Sequence, residues 1–98
     1  MIEPEYWNAI RTAVTDATAP FGGASVTFCR GHDHDYDACL RIYITHNVPG
    51  NPMGSAAAND LGYRLVCMAH DAGELDIVYV TQGFPNVAVG LDAGPPKC

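Results

Sequence analysis

Apolar residues recur at helical spacing near the start of the chain. Trp7, Ile10, Val14 and Ala17 lie three, four and three residues apart, with Tyr6 and Ala13 beside them. That spacing puts them on one face of an α-helix. Pro4 between Glu3 and Glu5 suits the helix start, where a missing N–H is tolerated and carboxylates complement the positive end. Pro20 and the pair Gly22–Gly23 end the helix near Ala19.

The period then shortens to alternation. In residues 24–30, Ala24, Val26 and Phe28 alternate with Ser25, Thr27 and Cys29. In residues 39–46, Leu40, Ile42 and Ile44 alternate with Cys39, Arg41, Tyr43 and Thr45. Both read as half-buried strands. Matching the apolar sets pairs Phe28 with Leu40, Val26 with Ile42 and Ala24 with Ile44. Cys29 then faces Cys39 and the turn centres near His34. A slip of one residue would turn every side chain to the wrong face.

Residues 47–55 form a Pro- and Gly-rich loop, and Ser55 is a candidate N-cap. A second helix follows to about Ala72, with Ala58, Leu61, Leu65, Met68 and Ala72 as its stripe. Gly73 fits a left-handed stop. Residues 74–81 and 86–91 read as another strand pair, with Leu75, Ile77 and Tyr79 on the core side against Leu91, Val89 and Val87. Its turn centres on Gly83. Residues 92–98 read as a frayed tail.

The expected order is αββαββ in a single α+β domain over residues 1–98. It predicts a two-layer sandwich, with two helices on one face of a four-stranded antiparallel sheet. A ferredoxin-like sandwich entered one element late has the same order, and such folds host many functions. The other sheet face would carry Ser25, Thr27, Arg41, Tyr43, Asp76, Val78, Val80 and Ala88.

Composition narrows the partners. Charged residues are 16% of the chain, against a usual value of about 25%. A surface with so little charge favours a contact face or a ligand cleft. The net charge is −6, and the cations Arg11, Arg30, Arg41, Arg64 and Lys97 are dispersed. Nucleic acid is disfavoured, because its binding rests on phosphate neutralisation. A basic protein partner is compatible. No apolar run approaches the ~18 residues that span a bilayer, and MIEPEYWNAI lacks the pattern of a signal peptide. The expectation is a cytoplasmic protein whose cysteines are thiols or ligands rather than disulfides.

The chemistry concentrates in CRGHDHDYDAC, residues 29–39. Cys29, His32, His34 and Cys39 are donors that zinc accepts, with Asp35 and Asp37 adjacent and His46 as an extra ligand. Strand parity opposes this set, since the cysteines and histidines fall on different faces unless the strand breaks at Gly31. His32-x-His34 resembles a fragment of the metallo-β-lactamase signature, but Tyr36 and Asp37 stand where that family has Asp and His, and the chain is too short for that fold. Asp33-x-Asp35-x-Asp37 resembles the start of an EF-hand loop, with Ala38 in place of its Gly and Ile44 in place of its Glu. Cys67 and His70 are neighbours on a helix without a visible oxyanion hole, and GNPMGS lacks the lysine of a P-loop.

No complete catalytic set emerges, and no cofactor is expected. The chain reads as a non-catalytic binding protein, a homodimer or one docking a basic protein through the open sheet face. Tyr43, Arg41, Thr27 and Phe84 are its contact residues. The alternative is a metal-binding protein or small metal-dependent hydrolase using His32, His34, Asp35 and Asp37 with Cys29 and Cys39, and zinc as the metal.

Overall fold

The computed structural model describes residues 3–50 and 52–84. Helix α1 runs Tyr6–Thr18 and buries Trp7, Ile10, Ala13, Val14 and Thr18. This is the stripe expected from the spacing, with Thr18 added. The Thr18 hydroxyl is dry because it donates to the Val14 carbonyl at 2.7 Å, the usual way a helical threonine satisfies itself. A 3-10 turn, Ala19–Phe21, follows. Gly22 then takes φ 94°, and a Cβ there would meet Val48 Cγ2 at 2.1 Å. Position 22 is thus restricted to glycine both by its backbone and by the close approach of Val48.

Strands β1, Ala24–His32, and β2, Ala38–His46, form an antiparallel hairpin. Phe28 pairs with Ile42, Val26 with Ile44 and Ala24 with His46. The expected faces are kept, but the register lies two residues from the predicted one. Two residues is a full pleat repeat, so burial cannot distinguish the registers. The tip decides. It spans residues 33–37, and Cys29 faces Arg41 while Cys39 faces Gly31.

Helix α2, Ser55–Asp71, buries Ala58, Leu61, Leu65 and Ala69. Ala69 closes the stripe in place of the expected Ala72, which is exposed. Gly54 takes the N-cap position rather than Ser55. Gly73, at φ 99°, makes the expected left-handed exit.

The chain then enters β3, Ile77–Gly83, which lies parallel to β2 and beside it. This overturns the predicted architecture. Among the described residues the sheet has three strands in the order β1-β2-β3, and the element order is α1, the 3-10 turn, β1, β2, α2, β3. The sheet is mixed, not antiparallel. In a ferredoxin-like sheet another strand would separate the two strands joined by a helix, whereas here β2 and β3 are hydrogen-bonded neighbours. The proposed strand over residues 86–91, its pairing with 74–81 and the tail over 92–98 lie outside the described residues.

Parallel pairing also reverses the predicted faces of β3. Leu40 pairs with Val78, and Ile42 with Val80. Val78 is buried and Val80 packs against the core, while Ile77 and Tyr79 are exposed. Leu75 precedes the strand and is 96% exposed. The run Ile77-Val78-Tyr79-Val80 is apolar at every position, so alternation could not select a face. One core unites Trp7, Ile10 and Val14 of α1, Leu61, Leu65 and Ala69 of α2, and Leu40, Ile42, Ile44 and Val78 of the sheet. Both helices therefore cover the same sheet face. Ile10, Leu40, Ile42 and Leu65 are wholly buried.

Candidate functional site

The loaded stretch is a structured hairpin tip organised by Asp33. This carboxylate is 8% exposed. Its Oδ1 accepts the backbone N–H groups of Asp35 at 2.9 Å and Asp37 at 3.0 Å. Its Oδ2 accepts the Tyr79 hydroxyl at 3.1 Å. One side chain thereby closes the loop on itself and pins it to β3. Burial disfavours the ionised form, but the Asp37 N–H, the Tyr79 hydroxyl and the Asp35 N–H outweigh it and lower the Asp33 pKa. The same contact raises the Tyr79 pKa, because its proton is held by Asp33. Tyr36 takes φ 64° at the tip and is 86% exposed.

The metal candidates are not brought together. His32 and His34 are exposed, and His34 Nε2 lies 3.6 Å from Asp35 Oδ2. Asp35 and Asp37 lie on the outside of the loop. Cys29 and Cys39 are buried, but not in facing positions. Cys29 is disulfide-bonded, and Cys39 is not its partner, since Cys39 and Cys67 are free thiols. Among the described residues no three His, Cys, Asp or Glu side chains are placed to hold a metal ion. His46 lies on the helix-facing side of the sheet, 2% exposed. Its Nε2 lies 2.8 Å from Gln82 Oε1, and its Nδ1 is buried without a partner among the described residues. Gln82 in turn donates to the Ala58 carbonyl of α2.

The candidate binding residues divide. Thr27 pairs with Tyr43, and Tyr43 with Thr81; Arg41 pairs with Cys29 and with Tyr79. Thr27, Arg41 and Tyr43 therefore share the face away from the helices, as expected, and each is half-buried. Ile77 and Tyr79 join them at 43% and 41% exposure. Phe84 does not. It stacks on His46 at 4.2 Å between ring centroids, so its ring belongs with a residue of the opposite face.

A third cluster escaped the sequence reading. Arg30 of β1 meets Glu74, in the turn between α2 and β3, through Nη2–Oε1 at 2.7 Å and Nη1–Oε2 at 3.2 Å. It also reaches Asp76 at 3.2 Å. Glu74 further accepts the Tyr6 hydroxyl and the Asp76 N–H. The Arg30 guanidinium, with smaller help from Tyr6 and Asp76 N–H, overcomes burial and holds the Glu74 pKa at about 2. Burial first, and Glu74 second, raise the pKa of Tyr6. Arg30 also lies over the Trp7 ring, 5.7 Å from its centroid. Trp7 stacks on Phe28 at 4.3 Å, and Arg11 lies over Phe28 at 5.0 Å. The Trp7 indole N–H is buried without a well-formed hydrogen bond, although it is near enough to the Tyr6 oxygen to favour its ionised form.

Beside this cluster lies an open cleft of about 810 Å³, lined by Pro4, Glu5, Tyr6 and Ala9 of the α1 start, Ala72, Gly73, Glu74, Leu75 and Asp76 of the α2–β3 turn, and Arg30 of β1. Nothing short-range announces it, because its walls are some 70 residues apart in sequence, as for Tyr6 and Glu74 at a separation of 68. Leu75, expected on the core side, is instead exposed and lines this cleft.

No protein-family model, no curated protein and no solved structure matches the chain.

Proposed function

We propose that the chain is a non-catalytic interaction protein that pairs with a second copy of itself through the sheet face opposite the helices. The observation that carries this is where the charge lies. A chain of net charge −6 repels its own copies on most of its surface. The open face is different. Its accessible strand positions, Ser25, Thr27, Gly31, Arg41, Tyr43, Thr45, Ile77, Tyr79, Thr81 and Gly83, contain no carboxylate, while Cys29 and Cys39 on the same face are buried. They offer two tyrosines, an isoleucine and one cation, residues suited to a contact patch. A symmetric pair would bring the same strip onto itself.

Self-association measured by sedimentation tests the reading. The expected result is a dimer at micromolar protein that Tyr43→Asp converts to monomer, since each pair would then bury two uncompensated charges. A wild-type chain that stays monomeric at about 100 µM, weaker than a useful contact, would overturn it.

Among the described residues no three metal-ligating side chains are placed together for the metal-dependent alternative.

A further inference from the structure

We infer that the cleft between the start of α1 and the α2–β3 turn binds a lysine or arginine side chain from a basic, partly apolar segment of a second protein. This names a partner for the interaction protein proposed above, on a surface separate from the sheet face.

Charge in the cleft is unbalanced. Arg30 is the only cation among its lining residues, against Glu5, Glu74 and Asp76. Both Glu74 oxygens are occupied, by Arg30, Tyr6 and the Asp76 N–H. Arg30 is likewise committed to Glu74 and Asp76. The remaining negative charge is therefore that of Glu5, which is exposed and makes no ion pair with the described residues, and of Asp76, whose contact with Arg30 uses Oδ2. The C-terminal end of α2 also lines the cleft at Ala72 and Gly73, and a helix's C-terminal end is electronegative. The positive end of α1 lies on the opposite wall, and the Glu5 carboxylate opposes it there.

The apolar part of the lining fits the same occupant. A lysine or arginine has an aliphatic stem that packs on apolar surface while its head stays polar. Pro4, Ala9 and Ala72 supply such a wall. Leu75 stands at its rim 96% exposed, an isolated leucine available to an apolar neighbour of the cation. An anionic or purely apolar segment would meet Glu5 and Asp76 without compensation.

The test is amide chemical-shift titration of the intact protein with two capped pentapeptides, one carrying two arginines and a leucine, the other glutamates in place of the arginines. Expected are shifts at Ala9, Gly73, Leu75 and Asp76 with the arginine peptide alone. Leu75→Ala and Glu5→Gln, both at exposed positions, should each weaken binding about fivefold, the usual scale for a rim contact. Tyr43→Asp should leave these shifts in place, so failure of self-association and failure of the cleft are read separately. Absence of shifts at about 1 mM peptide, equal shifts with the glutamate peptide, or binding unchanged in both cleft variants would each overturn the inference.

Discussion

Arg30 and Glu74 meet through two hydrogen-bonded contacts, at 2.7 and 3.2 Å, and join β1 to the turn before β3. Tyr6 adds the first helix to the same carboxylate. Three elements distant in sequence are thus fastened at one side chain.

That fastening is acid-sensitive. Glu74 has a folded pKa of about 2 against an ordinary value of 4.5. A lowered folded pKa means that the folded state holds the charge more tightly. Its stabilisation is complete above pH 4.5 and is lost as pH falls toward 2. The full shift corresponds to about 3 kcal/mol, and partial exposure of Arg30 reduces this to about 2 kcal/mol. Urea unfolding at pH 7 and pH 3 should show wild-type stability falling more steeply than that of Glu74→Gln. Parallel pH dependence in the two proteins would remove Glu74 from this role.

Tyr36 occupies the left-handed region at φ 64° with its side chain exposed. Such a conformation costs a non-glycine residue about 1 kcal/mol. Tyr36→Gly should therefore hold or raise stability while Tyr36→Val lowers it, read as a shift of the thermal midpoint. If glycine destabilises as much as valine, the tip conformation is different in solution.

The free thiols among the described residues, Cys39 and Cys67, should separate kinetically. Cys39 is wholly buried and Cys67 only partly so. Under native conditions a thiol reagent should modify Cys67 in minutes and Cys39 only as the fold opens. Mass spectrometry of tryptic peptides over time distinguishes them. Early modification of Cys39 would show that it is not buried in solution.

Gln82 links His46 to the Ala58 carbonyl. Gln82→Ala removes both contacts and leaves His46 with neither ring nitrogen satisfied. The expected loss is about 2 kcal/mol. The paired change His46→Leu with Gln82→Leu should cost less than the sum of its single changes, since no buried polar ring remains. Additive losses in chemical denaturation would show that the two side chains act separately.

Legibility followed the range of the interaction. The stripe Trp7, Ile10 and Val14 and the alternation of β1 and β2 are local periodicities, and they led to the right elements and faces. Thr27, Arg41 and Tyr43 were placed on one face for the same reason. β3 failed because four consecutive apolar residues leave its face undetermined, and because parallel pairing with β2 depends on where α2 returns the chain. Asp33 was readable in principle. An aspartate opening a short loop commonly accepts N–H groups two and more residues on, but the density of metal-binding residue types drew attention to ligands instead. The Arg30–Glu74–Tyr6 cluster had no sequence signal, since its members share nothing but the finished fold.

The adjacency of β2 and β3 sets an order of assembly. The β1–β2 hairpin closes across residues 33–37, while β3 must find β2 across residues 47–76. Closing the longer segment costs about 1.5 kcal/mol more in chain entropy, and it becomes favourable only once α2 has formed and can cover the junction. The central strand therefore acquires its first neighbour early and its second late. In the interval the outer edge of β2 is an open template, the stage at which two nascent chains are most exposed to pairing incorrectly.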